Sequence, residues 1–161
     1  MSRRKIARAG GRLRREDGAA AVEFALIAGL LAMLIFGMME YGLAFWQLQN
    51  LRASAREGAR VAAIGGSGAQ VLNAVNQQGN VSLTSANVQV CVPPAACQPI
   101  SAAQKYCALD GQPMDQKVIV QLPSATLPSG IKSIFKIEIP LLPSITLNPD
   151  LSGTFRCEGT S

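Results

Sequence analysis

Residues 19–46, AAAVEFALIAGLLAMLIFGMMEYGLAFW, form a near-continuous apolar run that constrains the fold more than any other feature of the chain. Only Glu23 and Glu40 interrupt it, and the first proline of the chain is Pro93, so nothing in the run must break a helix. From Ala19 to Leu43 a helix rises about 37 Å, enough to cross a hydrocarbon core of roughly 30 Å. Tyr41, Phe45 and Trp46 cluster at its far end, where an interfacial aromatic belt belongs. Residues 1–18 carry Arg3, Arg4, Lys5, Arg8, Arg12, Arg14 and Arg15 against Glu16 and Asp17. Such a basic leader stays in the cytoplasm and sends the C-terminus outward. A core helix of a soluble protein does not account for this length with a basic flank on one side only. In a secretory signal peptide the apolar region ends after about 7–15 residues at a small-residue cut; here the helical pattern continues.

Beyond Trp46, Leu48, Leu51, Ala55, Ala59 and Ala62 recur at helical spacing. Arg52, Arg56 and Arg60 form a second stripe, and Glu57 can pair with Arg60 at i, i+3. The stripe is either an anion or headgroup site or, by preference, the solvated or partner-facing side of an amphipathic helix. Gly65-Gly66-Ser67-Gly68 stops the helix. No strand precedes this GGSG and no lysine follows it, so it is a poor phosphate loop. Ala69–Gln78 reads as one more short helix. Thereafter Val88, Val90 and Val92, then Val118, Val120 and Leu122, alternate as strands do, and Ile137 and Ile139 flank Glu138 in the same way. All nine prolines lie between Pro93 and Pro149, which favours short strands with irregular connections. The expected fold class is α+β. A leader (1–18) precedes a long helix (19–64, its membrane part about 19–43), a linker with a short helix (65–80) and a β-rich outward-facing head (81–161).

The chain has no histidine, which removes Ser-His-Asp and Cys-His catalysis and every His-ligated metal site. No nucleophile–base pair stands out, and neither an enzymatic role nor a cofactor or metal is expected. The excess of 15 Lys+Arg over 10 Asp+Glu belongs entirely to the leader; residues 19–161 carry eight of each sign. With no interleaved aromatics in the basic cluster, nucleic-acid binding is not expected. Cys91, Cys97, Cys107 and Cys157 lack zinc-ribbon or CxxC spacing. An even count in a small proline-rich head points to two disulfides in an oxidising compartment, with three pairings open.

The informative junction is Gly18 to Phe24. Charge ends at Asp17, the apolar run begins at Ala19, and Glu23 lies five residues into it. An ionisable group inside a membrane segment is costly and is by default functional. A cut after Gly18 would give Ala19 a new α-amine, and the Glu23 carboxylate of one helix could meet that amine on an axially offset neighbour. The alternative is a Glu23 placed at the headgroup boundary, within reach of water. Gly11 with Glu16 also has the Gly-x4-Glu spacing, but charges rather than an apolar run follow Gly11. Ala21, Ala25 and Gly29, with Ala28 and Ala32 on a neighbouring row, are small residues at four-residue spacing that permit close helix packing in lipid. Glu40, beside Tyr41, is placed where it can reach water at the outer boundary.

Gly18-Ala19-Ala20-Ala21-Val22-Glu23-Phe24 resembles the class III signal of type IV pilins and pseudopilins. The longer stretch REDGAAAVEFALIAGLLAMLIFGMMEYG, followed by AREGARVAA, resembles the TadE-like minor pilins of the tight adherence (Flp) pilus system, with the related TadF pseudopilins as the near alternative. The likeness covers about residues 14–63. It implies cleavage between Gly18 and Ala19 by a prepilin peptidase, with Glu23 and Phe24 serving assembly. It also implies insertion in the bacterial inner membrane with a periplasmic C-terminus, passage into an extracellular pilus, and partners among other pilin or pseudopilin subunits and the assembly machinery. The implied role is surface attachment and biofilm formation. The competing expectation keeps the same topology without processing, as a signal-anchored periplasmic protein that binds a partner.

Overall fold

A computed structural model describes residues 13–107, 116–137, 143–147 and 149–158. Leader residues 1–12, and Glu138 and Ile139 of the last expected alternation, lie outside them. The chain divides into two compact units, Met1–Met39 and Glu40–Ser161.

Helix α1 runs from Leu13 to Ala63, 51 residues without a break. It begins earlier than the apolar run alone implies, so Gly18 lies inside a helix rather than before one. In the first unit its large side chains are mostly exposed: Phe24, Leu26 and Met38 are each more than 70% exposed. Exposure of that kind on a purely apolar surface is stable in hydrocarbon and not in water.

In the second unit the character of α1 changes at Ala44, its first buried residue. Leu51, Ala55, Ala59, Ala62 and Ala63 are buried and Leu48 is partly buried, which matches the apolar stripe of the sequence. The helix ends at Gly65, whose φ of 78° only glycine adopts without strain. Helix α2, Gly68–Gly79, follows at once. Ser67 is its N-cap, with a reciprocal capping box to Gln70, and Asn80 closes it in the left-handed conformation. Val71 and Val75 are its buried face. The Asn76 side chain donates to the Leu83 carbonyl and accepts from the Leu83 N–H, fixing the exit from α2.

The strands are β1 (Gln89–Cys91), β2 (Gln98–Pro99) and β3 (Lys117–Leu122), and then, after the short helix α3 (Ser129–Ile134), β4 (Lys136–Ile137), β5 (Ile145–Thr146) and β6 (Leu151–Arg156). An antiparallel sheet has the order β2-β1-β3-β6, with Val90 opposite Val120 and Val120 opposite Gly153. Strands β4 and β5 form a separate antiparallel pair. Val118, Val120 and Leu122 turn inward as their alternation predicts, together with Val88, Val90 and Leu151. They join the buried faces of α1 and α2 in one core. The head's core therefore draws on helix residues well upstream of 81.

Two disulfides resolve the open pairing, Cys91–Cys97 and Cys107–Cys157. The first closes the β1–β2 turn. The second ties the end of β6 to the loop after β2, where the Cys157 N–H also donates to the Gln116 carbonyl.

Candidate functional site

In the first unit, α1 places Gly18, Ala19, Glu23 and Phe24 in one exposed helical stretch. Ala19 and Glu23 are four residues apart, so they share a face about 6 Å apart along the axis. Nothing lies within 4 Å of a Cβ built at Gly18 or at Gly29. Ala21, Ala25 and Gly29 thus form an open small-residue row that no part of this chain covers among the described residues. A glycine within a helix is about 1 kcal/mol less favourable than alanine, so the helix is intrinsically weakest at Gly18 in this stretch.

The second unit begins with the aromatic group. Tyr41, Phe45 and Trp46 are all exposed, and the rings of Tyr41 and Phe45 stack with centroids 6.4 Å apart. Glu40 is exposed beside them. One turn further, α1 presents Arg52 and Arg56 to the outside. Arg60 is engaged: its Nη2 lies 2.6 Å from Glu57 Oε1 and its Nε donates to Oε2 at 2.9 Å. The hydrogen bond from Arg60 holds the Glu57 carboxyl below its ordinary value. The stripe of three arginines is therefore two outward-facing cations and one ion pair.

The opposite side of the same helix contains the residues that the pattern of charges and apolar side chains did not single out. A Cβ at Gly58 would come within 2.5 Å of Val75 on α2 and 3.4 Å of Val120 on β3. A Cβ at Gly153 would strike the α1 backbone at Ala55 and Arg56. Ala55, Gly58, Ala59 and Ala62 are thus a shallow ridge onto which the sheet and α2 close. The available signal was Gly58 itself, a glycine in mid-helix, which has a packing reason when it has one at all. Gly153 carried no such signal, because its neighbours Ser152 and Thr154 are polar.

An open cleft lies beside α3, bordered by Leu127, Phe135, Thr146 and Asp150. Its lysine, Lys132, donates to the Ala125 carbonyl at 2.7 Å.

Comparison with curated proteins and with solved structures finds no match for the chain. Residues 18–60 match the family model described as TadE-like protein. The matched segment starts at Gly18, includes the uncovered part of α1, and ends at Arg60, three residues before α1 ends. The likeness to TadE-like proteins therefore covers the apolar helix and the first part of the head, about a quarter of the chain.

Proposed function

We propose that the protein is a pilin-like subunit of a tight adherence pilus system, in the manner of a TadE-like minor pilin. A prepilin peptidase cuts between Gly18 and Ala19, and the mature chain enters assembly through its apolar helix while the disulfide-bonded head stays on the periplasmic side. The carrying observation is one coincidence. The TadE-like match begins at the glycine that precedes the apolar run of an uncovered helix, in which Glu23 is the one charge before the outer boundary.

In this reading Glu23 has two tasks in sequence. Before the cut it is a carboxylate near the inner boundary. After the cut it faces a new amine at Ala19, and a neighbouring helix offset along its axis brings amine and carboxylate together between chains. An unpaired charge in lipid costs several kcal/mol, so that pairing favours the assembled state over the isolated helix. Through surface adherence and biofilm formation the pilus supplies the biological role. The match supports a TadE-like reading, with a TadF-like pseudopilin as the near alternative.

The test is the N-terminus of the membrane-extracted protein in cells with and without the peptidase. A start at Ala19 that depends on the peptidase is the expected result. A start at Met1 or Ser2 in both would overturn the proposal in favour of an unprocessed, anchored partner-binding protein.

A further inference from the structure

Helix α1 carries charges of opposite sign on different faces with no ion-pair partner among the described residues. The ion pair among them is Glu57–Arg60, and Arg60 also lies in the field of Glu158. Glu40, Arg52 and Arg56 are exposed and stand outside that pair. Arg52 and Arg56 are one turn apart, leaving a gap of about 6 Å between them. Glu40 precedes them by 12 and 16 residues, roughly 18 and 24 Å along the axis and roughly 120° and 160° around it. The head covers the face of Leu51, Ala55, Ala59 and Ala62, so the arginines mark the side that the helix leaves open to a neighbour.

Lipid headgroups fit this pair poorly. With the hydrocarbon boundary near Leu43, the headgroup layer adds roughly 5–8 Å, whereas Arg52 stands about 13 Å and Arg56 about 19 Å beyond it.

We infer that this face binds a second copy of the same chain, with Glu40 of one copy seated between Arg52 and Arg56 of the next. The charge complementarity lies within one sequence. An acidic site and a two-arginine site sit on nearly opposite faces, at a separation that parallel helices satisfy when offset by about 18–24 Å. Because different surfaces meet, the contact is heterologous, and its repetition gives an open row rather than a closed pair. Two copies at equal depth in a flat membrane do not make the contact; it forms when one stands further out than its neighbour. The inference goes beyond the pilus proposal and does not depend on cleavage at Gly18.

The test uses the full chain in detergent solution. A photo-crosslinking residue replaces Gln49, which shares the face of Arg52 and Arg56. Crosslinked dimer is the readout. Glu40→Arg, and separately Arg52→Glu with Arg56→Glu, should each lower dimer yield at least about tenfold, because like charges then face each other. High salt should weaken the wild-type dimer. Mixing the two variants should restore it, since the reversed charges now complement one another in both directions. Misfolded variants do not rescue each other, so restoration identifies the contact. Either variant crosslinking like wild type, or a mixture that stays monomeric, overturns the inference. A negative result leaves processing at Gly18 untouched, and an uncleaved chain that still crosslinks leaves this contact standing.

Discussion

Adding one methyl group at Gly153 should damage the head more than the same change at Gly58 or Gly130. The Cβ of Gly153→Ala would lie well under 3 Å from the Ala55 carbonyl and from Arg56 Cα. These are backbone atoms of a continuous helix, and Gly153 itself is held in register opposite Val120. Neither side can turn away as a side chain can, so strand or helix must move by about 1 Å. Overpacking typically costs about 1–3 kcal/mol, and a backbone-to-backbone clash belongs at the upper end. At Gly58 the nearest atom is a methyl of the buried Val75 rather than backbone, so the repacking falls on one side chain, and alanine gains about 1 kcal/mol of helix propensity. Gly58→Ala should therefore cost less than Gly153→Ala, about 1–2 kcal/mol. Gly130→Ala meets nothing within 4 Å and serves as the control. The assay is thermal unfolding of the full chain in detergent, followed by circular dichroism in the strand region. At about 4–8 °C per kcal/mol for a small domain, Gly153→Ala should melt some 10–20 °C below wild type. If Gly153→Ala melts with the control, the close approach of β6 to α1 is wrong and the account of the ridge fails with it.

The remaining predictions bear on cleavage, the disulfides and charge. Gly18→Val should block processing by crowding the scissile bond, and a mutant migrating at the mature size would refute it. Glu23→Gln should leave cleavage intact and remove recovery with sheared pili or partner subunits; unimpaired recovery would make Glu23 a boundary residue only. Replacing Cys107 and Cys157 by serine should destabilise the head by about 4 kcal/mol and replacing Cys91 and Cys97 by about 2, from loop-closure entropy over separations of 50 and 6 residues. Equal losses in urea titrations of the two variants would count against that ordering. Glu57, whose folded-state carboxyl titrates below its ordinary value, favours the folded state above that value and loses the contribution as pH falls through the folded one. The pair is exposed, so Glu57→Gln should flatten the acid limb of a stability–pH curve only slightly.

The anchor helix was legible because lipid imposes a one-dimensional rule, apolar side chains over a fixed length. The stripe from Leu51 to Ala62 was legible because helical periodicity survives when one side packs on a sheet. Val118, Val120 and Leu122 announced β3 by alternation. The disulfide pairing was not legible: it depends on β6 returning beside β3, a contact between residues 117 and 156 that no local pattern encodes. The cap at Ser67 was written in the sequence as Ser-x-x-Gln, but the surrounding glycines read first as a stop. Gly153 stayed hidden because its role is an absence of atoms opposite Ala55, which only the folded chain reveals.

Side-chain volume along α1 explains how one helix serves two environments. Up to Leu43 the large residues Phe24, Leu30, Phe36 and Leu43 stand out on every side, which suits lipid or the flanks of other apolar helices. From Ala44 onward one face shrinks to alanine and glycine while the other acquires arginine. A large residue at Ala55 or Gly58 would hold the sheet away, and an arginine among residues 24–39 would be stranded in hydrocarbon. The two requirements conflict at each position, so the change of pattern must be abrupt, and the aromatic residues Tyr41, Phe45 and Trp46 stand where it occurs. The TadE-like match spans this change and stops near the end of the ridge. That extent has a physical sense: residues 18–60 are constrained both by the membrane and by the surface on which the head is built, whereas the sheet that follows has only to present a glycine and a few valines to it.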